Sequence, residues 1–435
     1  MKIVLIGKTP YGFPEENQRS YLAGHSLGFT DPFIKYALRK GHQVTLITPR
    51  VVSTEECTSP MPIVFPPTSD RFHHLWIFPR DLPKVPFPFT SLDTEAAILQ
   101  ASRLMGGIDI VMSIYVFPWI LPVNHLKRAL GYRSIAFIRG TDGINGLNPA
   151  SVYRKLYGPL WEEMTRVFTL ALQESDRIYV LSRWLRAYVQ RFGVQVSGVL
   201  PTPPFPMLPE YLTYKAESVE LKRMLVSQPV LRDTMRSVDL TKKWVIYFGR
   251  FHRDKSVHLL IEAIKHVRHA SELTFILAGA GPEEEALRKL AEKLQIPDLH
   301  FCFIPPHLIP LFCRAATLMV HPAIPREEFV EALSNSCVNA SAAGCPIILP
   351  HSRTIDCGGA EETVGPLNLR YLTFAPSSDE QQMHREIAAK IDFLVSHSAL
   401  RQEIRQQNVL FARQFSQEAI FTALEREMEC LLTES

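Results

Sequence analysis

The chain has 435 residues, enough to bury two cores of ordinary size, so two domains are the default expectation. Hydrophobic residues make up 46% and charged residues 21%, the balance of a soluble globular protein, and a net charge of +3 is too small to argue for a nucleic-acid partner. No apolar run reaches the ~20 residues that a membrane span needs, and seven cysteines without C-x-x-C spacing suggest a reduced, cytoplasmic chain.

Met1-Lys-Ile-Val-Leu-Ile-Gly7 is too short for a signal peptide and reads as a first buried strand. Asp31-Pro32 predicts an N-cap followed by proline, opening a helix to Arg39. Gly41-His42 closes that helix, and Gln43–Thr48 is the next strand. Eight prolines between Pro60 and Pro88 forbid a continuous helix or a central strand, so residues 60–89 are expected to be an irregular insertion or an edge. The alternation then resumes. Strands are expected at Ile108–Ser113, Ser134–Ile138 and Arg177–Ser182, with a helix over most of Tyr153–Ser175. Pro201-Thr-Pro-Pro-Phe-Pro206 ends a first domain of residues 1–205, and the polar, helical stretch 206–240 reads as a connector.

A second domain, 241–415, opens at Trp244–Phe248. Helices follow at Val257–His269 and Pro282–Leu294, and short strands at Leu273–Ala278, Leu299–Ile304, Leu318–His321 and Ile347–Leu349. Residues 416–435 hold a final helix, about Gln417–Leu432. Strands alternating with helices in both halves give an α/β class with parallel sheets.

Four signals stand in order in the second half. Tyr247-Phe-Gly-Arg250, with Lys255 behind it, sets two cations beside the glycine turn at Gly249, either to neutralise a diphosphate or as surface charges at a strand end. Gly279-Ala-Gly281-Pro282 lacks the third glycine of a dinucleotide fingerprint, because Glu284 stands in its place. It is a tight turn, with or without a ligand against it. Glu331-Ala-Leu-Ser-Asn-Ser-Cys-Val-Asn339 puts small polar residues, Ser334, Asn335 and Ser336, at a helix start, with Ser334 or Ser336 as N-cap. Ala343-Gly-Cys-Pro346 then leads to Gly358-Gly-Ala-Glu-Glu362. In the first half, Gly24-His-Ser-Leu-Gly28 precedes the first helix, and Arg139-Gly-Thr-Asp142 follows a strand, where Arg139 either pairs with Asp142 or faces a ligand. His25, His73 and His74 have no metal-ligand spacing, and Tyr115, Phe117 and Trp119 suit a core as well as an acceptor site.

In this order and spacing the motifs resemble the retaining family four of the GT-B glycosyltransferases, also called glycosyl transferases group 1. The resemblance implies the GT-B fold: two Rossmann-like parallel-sheet domains facing each other across a cleft, with the last helix crossing back to the first domain. It implies transfer of a sugar, with retention, from a nucleotide diphosphate sugar, most readily a UDP-sugar, to an acceptor hydroxyl: a hexosyltransferase-type enzyme. Arg250 and Lys255 correspond to the pair that stabilises the leaving diphosphate, and Glu331 to the acid that contacts the transferred sugar. Gly28, Gly249, Gly279, Gly281, Leu308, Ser334, Asn335 and Ser336 correspond to donor-binding positions, Leu308 in the loop that reads the base. Arg139 and Asp142 become cleft contacts. The family's second acid, which accepts from the ribose hydroxyls, is replaced by Asn339, with seven residues between it and Glu331. An asparagine oxygen still accepts but carries no charge. No Asp-x-Asp pair follows a strand, so neither a metal nor a cofactor beyond the nucleotide-sugar co-substrate is expected. The expected partners are that donor and a sugar, lipid-linked or small-molecule acceptor, at the membrane periphery or free in the cytoplasm. Two other readings are a non-catalytic nucleotide-sugar-binding protein and a sugar-nucleotide epimerase of the same architecture.

Overall fold

The computed structural model describes residues 1–7, 29–49, 63–64, 70–77, 89–114, 119–140, 159, 161–326 and 329–434. Two compact units form. One holds the described residues up to Pro201 together with those from Gln417 onward, and the other runs Thr202–Ser416.

The first unit is built on eight strands: β1 (Lys2–Ile6), β2 (Gln43–Pro49), β3 (Ile63–Val64), β4 (Phe72–Ile77), β5 (Ile110–Ser113), β6 (Arg133–Ile138), β7 (Arg177–Val180) and β8 (Gly198–Val199). Their order is β3-β4-β2-β1-β5-β6-β7-β8. All neighbours are parallel except β3, which runs antiparallel to β4 at the edge. Ile3–Ile6, Ile110–Met112 and Ile135–Ile138 are buried along their length, as strands covered on both faces require. The proline-rich stretch therefore contains an edge as expected, but also β4, which lies parallel to β2 and was not legible among its prolines. The first helix starts at Thr30, one residue before the expected cap. Asp31 lies in its first turn, where its carboxylate pairs with Lys35 at 2.8 Å.

The last helix, Gln417–Thr433, packs on this first helix. Phe421 lies 5.5 Å, ring to ring, from each of Phe29, Phe33 and Tyr36. The Tyr36 hydroxyl donates to Glu425 at 2.7 Å, and the second oxygen of Glu425 meets His42 Nε2 at 2.7 Å. An aromatic cluster with a polar clamp at its rim gives the helix both its burial and its register. Among the described residues no helix is long and apolar enough to cross a membrane.

The second unit carries β9 (Lys243–Phe248), β10 (Leu273–Ala278), β11 (Leu299–Cys302), β12 (Leu318–Val320), β13 (Ile347–Pro350) and β14 (Thr373–Phe374) in the order β11-β10-β9-β12-β13-β14. Every pair is parallel. The chain builds outward from β9 to one side, then returns to build from β12 on the other. The C-terminal ends of β9 and β12 thus form the topological switch point at which open parallel sheets bind ligands.

Residues 206–240 are not a connector. The helices Pro209–Leu212 and Val219–Val226 and the turns after them send Tyr211, Leu221, Leu225, Leu231, Met235 and Val238 into the core around Trp244 and Phe312. Glu217 anchors this segment from a left-handed backbone (φ 67°). One of its carboxylate oxygens accepts from Arg401 Nε at 3.0 Å and from Arg405 Nε at 2.9 Å, both from the helix Ser398–Ala412. The two guanidiniums are buried and donate their other protons to carbonyls, Arg401 to Leu394 and Arg405 to Ala316 and Thr317. Removing one member of a buried ion cluster leaves the remaining charges uncompensated. Glu217→Ala is expected to cost the second unit about 3 kcal/mol in urea unfolding, and Glu217→Gln, which keeps an acceptor, clearly less. A cost equal in both variants, or below about 1 kcal/mol, would show that the carbonyls alone carry the two arginines.

Candidate active site

β9 delivers Phe248 to the switch point, and the chain turns at Gly249 (φ 152°). This loop is stitched to the one after β10. Gly249 N–H donates to the Ala278 carbonyl at 3.0 Å, Phe251 N–H to Ala280 at 2.9 Å, and Glu283 N–H to the Phe251 carbonyl at 3.0 Å. The contact is so close that a β-carbon at Gly279 would stand 2.0 Å from the Gly249 carbonyl oxygen, and one at Gly281 2.3 Å from that of Phe251. Both glycines are required by loop-on-loop packing, whatever else faces them. Beneath the loop lies Tyr247, whose hydroxyl donates to the Arg250 carbonyl at 2.8 Å. Burial pushes its phenol far above the usual range, and nearby Glu331 adds to the effect.

From Gly249 the chain runs past Arg250 into a short 3-10 turn, Arg253–Lys255, then through Ser256 (φ 49°) into the helix Val257–Ile264. The turn aims Lys255 inward. Its side chain is 10% exposed, and its ammonium is bonded directly to the Glu331 carboxylate, itself 5% exposed. The same ammonium stands 5.1 Å from the centre of the Phe329 ring. Glu331 is held from behind. Gly359 N–H donates to its carbonyl at 2.8 Å, and a β-carbon at Gly358 would lie 2.3 Å from that oxygen. His321, the residue after β12, places Nε2 3.8 Å from the same carboxylate. Its side chain is 2% exposed, and burial holds its imidazole down at about 4.

The helix Asn335–Ala342 starts beside this group. Ser334 is its N-cap and accepts from Cys337 N–H at 3.2 Å, which settles the choice between Ser334 and Ser336. Ser336 instead lies over Gly249, its hydroxyl 3.5 Å from where a β-carbon there would stand. Asn339 is engaged at both ends of its amide: Oδ1 accepts from Phe205 N–H at 2.8 Å, and Nδ2 donates to the Asn335 carbonyl at 2.8 Å. The asparagine thereby ties the segment after Pro201 to this helix.

The second unit thus brings Gly249, Lys255, Glu331 and Ser336 together, with Arg250 in the loop between them. Gly279 and Gly281 sit behind as packing glycines. Leu308 is a core residue whose N–H is bonded to the Pro305 carbonyl at 2.9 Å. Arg139 belongs to the first unit, buried, with its guanidinium carbon 4.4 Å from the centre of the Phe29 ring. Gly28 and Asp142, together with Tyr115 and Phe117, lie outside the described residues. The sequence reading missed His321 and Phe329. The one available signal for His321 was a polar residue closing an apolar strand.

The Asn339 geometry gives a prediction. In Asn339→Asp the oxygen facing Phe205 remains, but a carboxylate oxygen replaces the donor and meets the Asn335 carbonyl. A loss of about 1–3 kcal/mol in denaturant unfolding is expected. Unchanged stability would mean that the Nδ2 bond contributes nothing.

Residues 235–409 match the family model described as glycosyl transferases group 1, and residues 32–202 match that described as glycosyltransferase family 4. No curated protein matches the chain in sequence. Among solved structures, a glycosyltransferase from Rickettsia africae superposes with a TM-score of 0.67 at 14% identity, over 100% of this chain and 99% of that one. Sucrose-phosphate synthase from Thermosynechococcus elongatus gives 0.65 at 17% identity, over 100% and 99%. HepE from Anabaena, solved in complex with UDP, gives 0.66 at 14%, over 99% and 100%. With one model matched in each unit and a shared fold along the whole length, the chain belongs to the GT-B glycosyltransferases of family four, the glycosyl transferases group 1.

Proposed function

We propose that this glycosyltransferase moves a hexose from a UDP-sugar to an acceptor hydroxyl, with retention at the anomeric carbon and without a metal. One observation carries the reading: Lys255 and Glu331, 76 residues apart in sequence, are joined as a buried ion pair at the switch point of the second sheet. A buried cation beside a buried carboxylate suits a ligand that is anionic at one end and rich in hydroxyls at the other. The UDP and UDP-glucose complexes of Anabaena HepE support a nucleotide-sugar donor.

In this reading the diphosphate lies across Gly249, with Arg250 and Lys255 neutralising the charge that grows as the glycosidic bond breaks. The start of the helix Asn335–Ala342 faces its oxygens with a positive dipole end. Glu331 accepts from sugar hydroxyls. The departing phosphate oxygen takes the proton of the attacking acceptor hydroxyl on the same face. A ribose hydroxyl at Asn339 shares an oxygen already bonded to Phe205; a carbonyl oxygen has two lone pairs, so both contacts fit. The acceptor is selected by the first unit. The Asn339–Phe205 bond also motivates a rival, a non-catalytic nucleotide-sugar-binding protein. Slow hydrolysis of the donor in the absence of acceptor separates the two.

UDP at about 100 times its dissociation constant should stabilise the protein by ~2.7 kcal/mol, seen as a rise in melting temperature. No shift with UDP, and a shift with GDP or ADP, would reassign the base. In a turnover assay, Arg250→Ala should lower kcat by roughly 100-fold, ~3 kcal/mol, with folding unchanged, and the wild-type rate should survive EDTA. Lys255→Ala should lose stability as well, since it removes the counter-charge bonded to the buried Glu331 carboxylate. Near-wild-type turnover in Arg250→Ala, or a rate abolished by EDTA, would sink the metal-free phosphate clamp.

A further inference from the structure

The helix Val257–Ile264 starts directly after Lys255 and Ser256, and it packs along the helix Glu380–Ser396. In the second of these helices Glu380, His384, Ala388 and Asp392 recur every four residues and so share one face. That face is tied to the first helix and its C-terminal turn at two levels. Glu380 stands 3.5 Å from His258 Nε2. Asp392 accepts from the main-chain N–H groups of Arg268 and His269, each at 3.1 Å.

His384 lies between the two ties. It is 3% exposed, and neither ring nitrogen has a hydrogen-bond partner. Glu262 and His258 of the first helix, His266 just beyond it, and Glu380 all act on it electrostatically. Among the described residues no group of three histidines, cysteines or carboxylates is arranged to hold a metal ion. A buried imidazole without a partner serves packing less well than an apolar side chain would. What it can do that a leucine cannot is bind a proton. We propose that this helix pair is a proton-operated joint: in acid His384 takes up a proton, the helices part at its level, and the turn that carries Lys255 loses its support. The joint acts whether or not the site takes a nucleotide sugar.

The surroundings fix the sign. Burial is the largest influence on His384 and lowers its imidazole; Glu262 and Glu380 raise it, His266 and His258 lower it, and the net direction is down. β13 and β14, which also pack against its helix, bring no charged side chain. From the helix Ser398–Ala412, Arg401 and Arg405 are bonded to Glu217, and Glu403 is exposed. Above an ordinary histidine value of about 6.5 the ring is neutral whether the helices are packed or parted. Below it the parted state binds a proton that the packed state does not. Opening therefore grows as pH falls, by at most about tenfold per pH unit for one proton, and levels off once the packed state titrates as well.

Hydrogen exchange on the full chain, followed by mass spectrometry from pH 7.5 to pH 5 and corrected for intrinsic rates, reads the opening of residues 253–264. In the wild type the opening constant is expected to rise below about pH 6.5, while that of β10 in the same unit does not. His384→Leu is expected to abolish the rise. Glu262→Gln removes a charge that favours the protonated ring, so it is expected to carry the rise to lower pH and to a larger total. That variant keeps the joint testable if His384→Leu does not fold. Exchange without pH dependence in the wild type overturns the proposal. So does a rise that survives in His384→Leu, or one no larger in Glu262→Gln. An equal rise in β10 reports unfolding of the whole unit and overturns it too. Binding of UDP-glucose at pH 7.5, measured separately, decides the donor-site reading and leaves the joint untouched.

Discussion

A lysine and a glutamate buried side by side are stable only while they hold each other, and much of the second unit is arranged so that they do. The ion pair of Lys255 and Glu331 has little water around it to compensate either charge. Each partner is therefore fixed by its own backbone. Lys255 rides on a 3-10 turn that ends in the left-handed Ser256, and Glu331 is pinned through its carbonyl by Gly358 and Gly359. An isolated buried pair of this kind is a poor device for stability, since an apolar pair of similar volume often does as well. Its retention makes better sense where one member has a second partner to serve.

The glycines sort themselves by the same geometric test. Gly279, Gly281 and Gly358 each lie where a side chain would drive into a neighbouring carbonyl. They bring main chains together in pairs: the loop after β9 against that after β10, and the loop after β12 against that after β13. Gly249 differs. The nearest obstacles to a β-carbon there are side-chain atoms, the hydroxyls of Tyr247 and Ser336, rather than main chain. Of these glycines, Gly249 is the one whose lack of a side chain leaves room beside polar groups.

The sequence made β9 to β13 of the second sheet legible because they are short, apolar and regularly interrupted, but not the two-residue β14. β10 matches its expected bounds, Leu273–Ala278, and β9, β11, β12 and β13 fall within a residue or two of theirs. Legibility ended where structure depends on contacts distant in sequence. Residues 206–240 are polar enough to read as a connector; only the packed core shows Leu221 and Leu225 meeting Leu311 and Phe312. The carboxylate of Glu217 finds Arg401 and Arg405 184 and 188 residues away, and no local pattern announces it. His321 escaped for another reason. A lone histidine after a strand acquires meaning only from Glu331, further along the same irregular loop before the helix Asn335–Ala342.

Asn339 shows how a departure from a family pattern reads differently from the two sides. From the sequence it is a lost charge beside a nucleoside. In the fold it is an amide using both of its functions, accepting from Phe205 and donating to Asn335, where a carboxylate would serve only the first. The exchange thus trades a charged acceptor for a donor, and the donor closes a bond within the helix whose start lines the site. A helix of eight residues is marginal on its own, and its stability comes from packing and from such local bonds. Ser334 caps the helix at its start, and Asn339 ties its second turn to the first and to the chain after Pro201. The replacement therefore holds the helix that carries Ser336 to Gly249, and whatever Asn339 contributes to a ligand comes in addition to that.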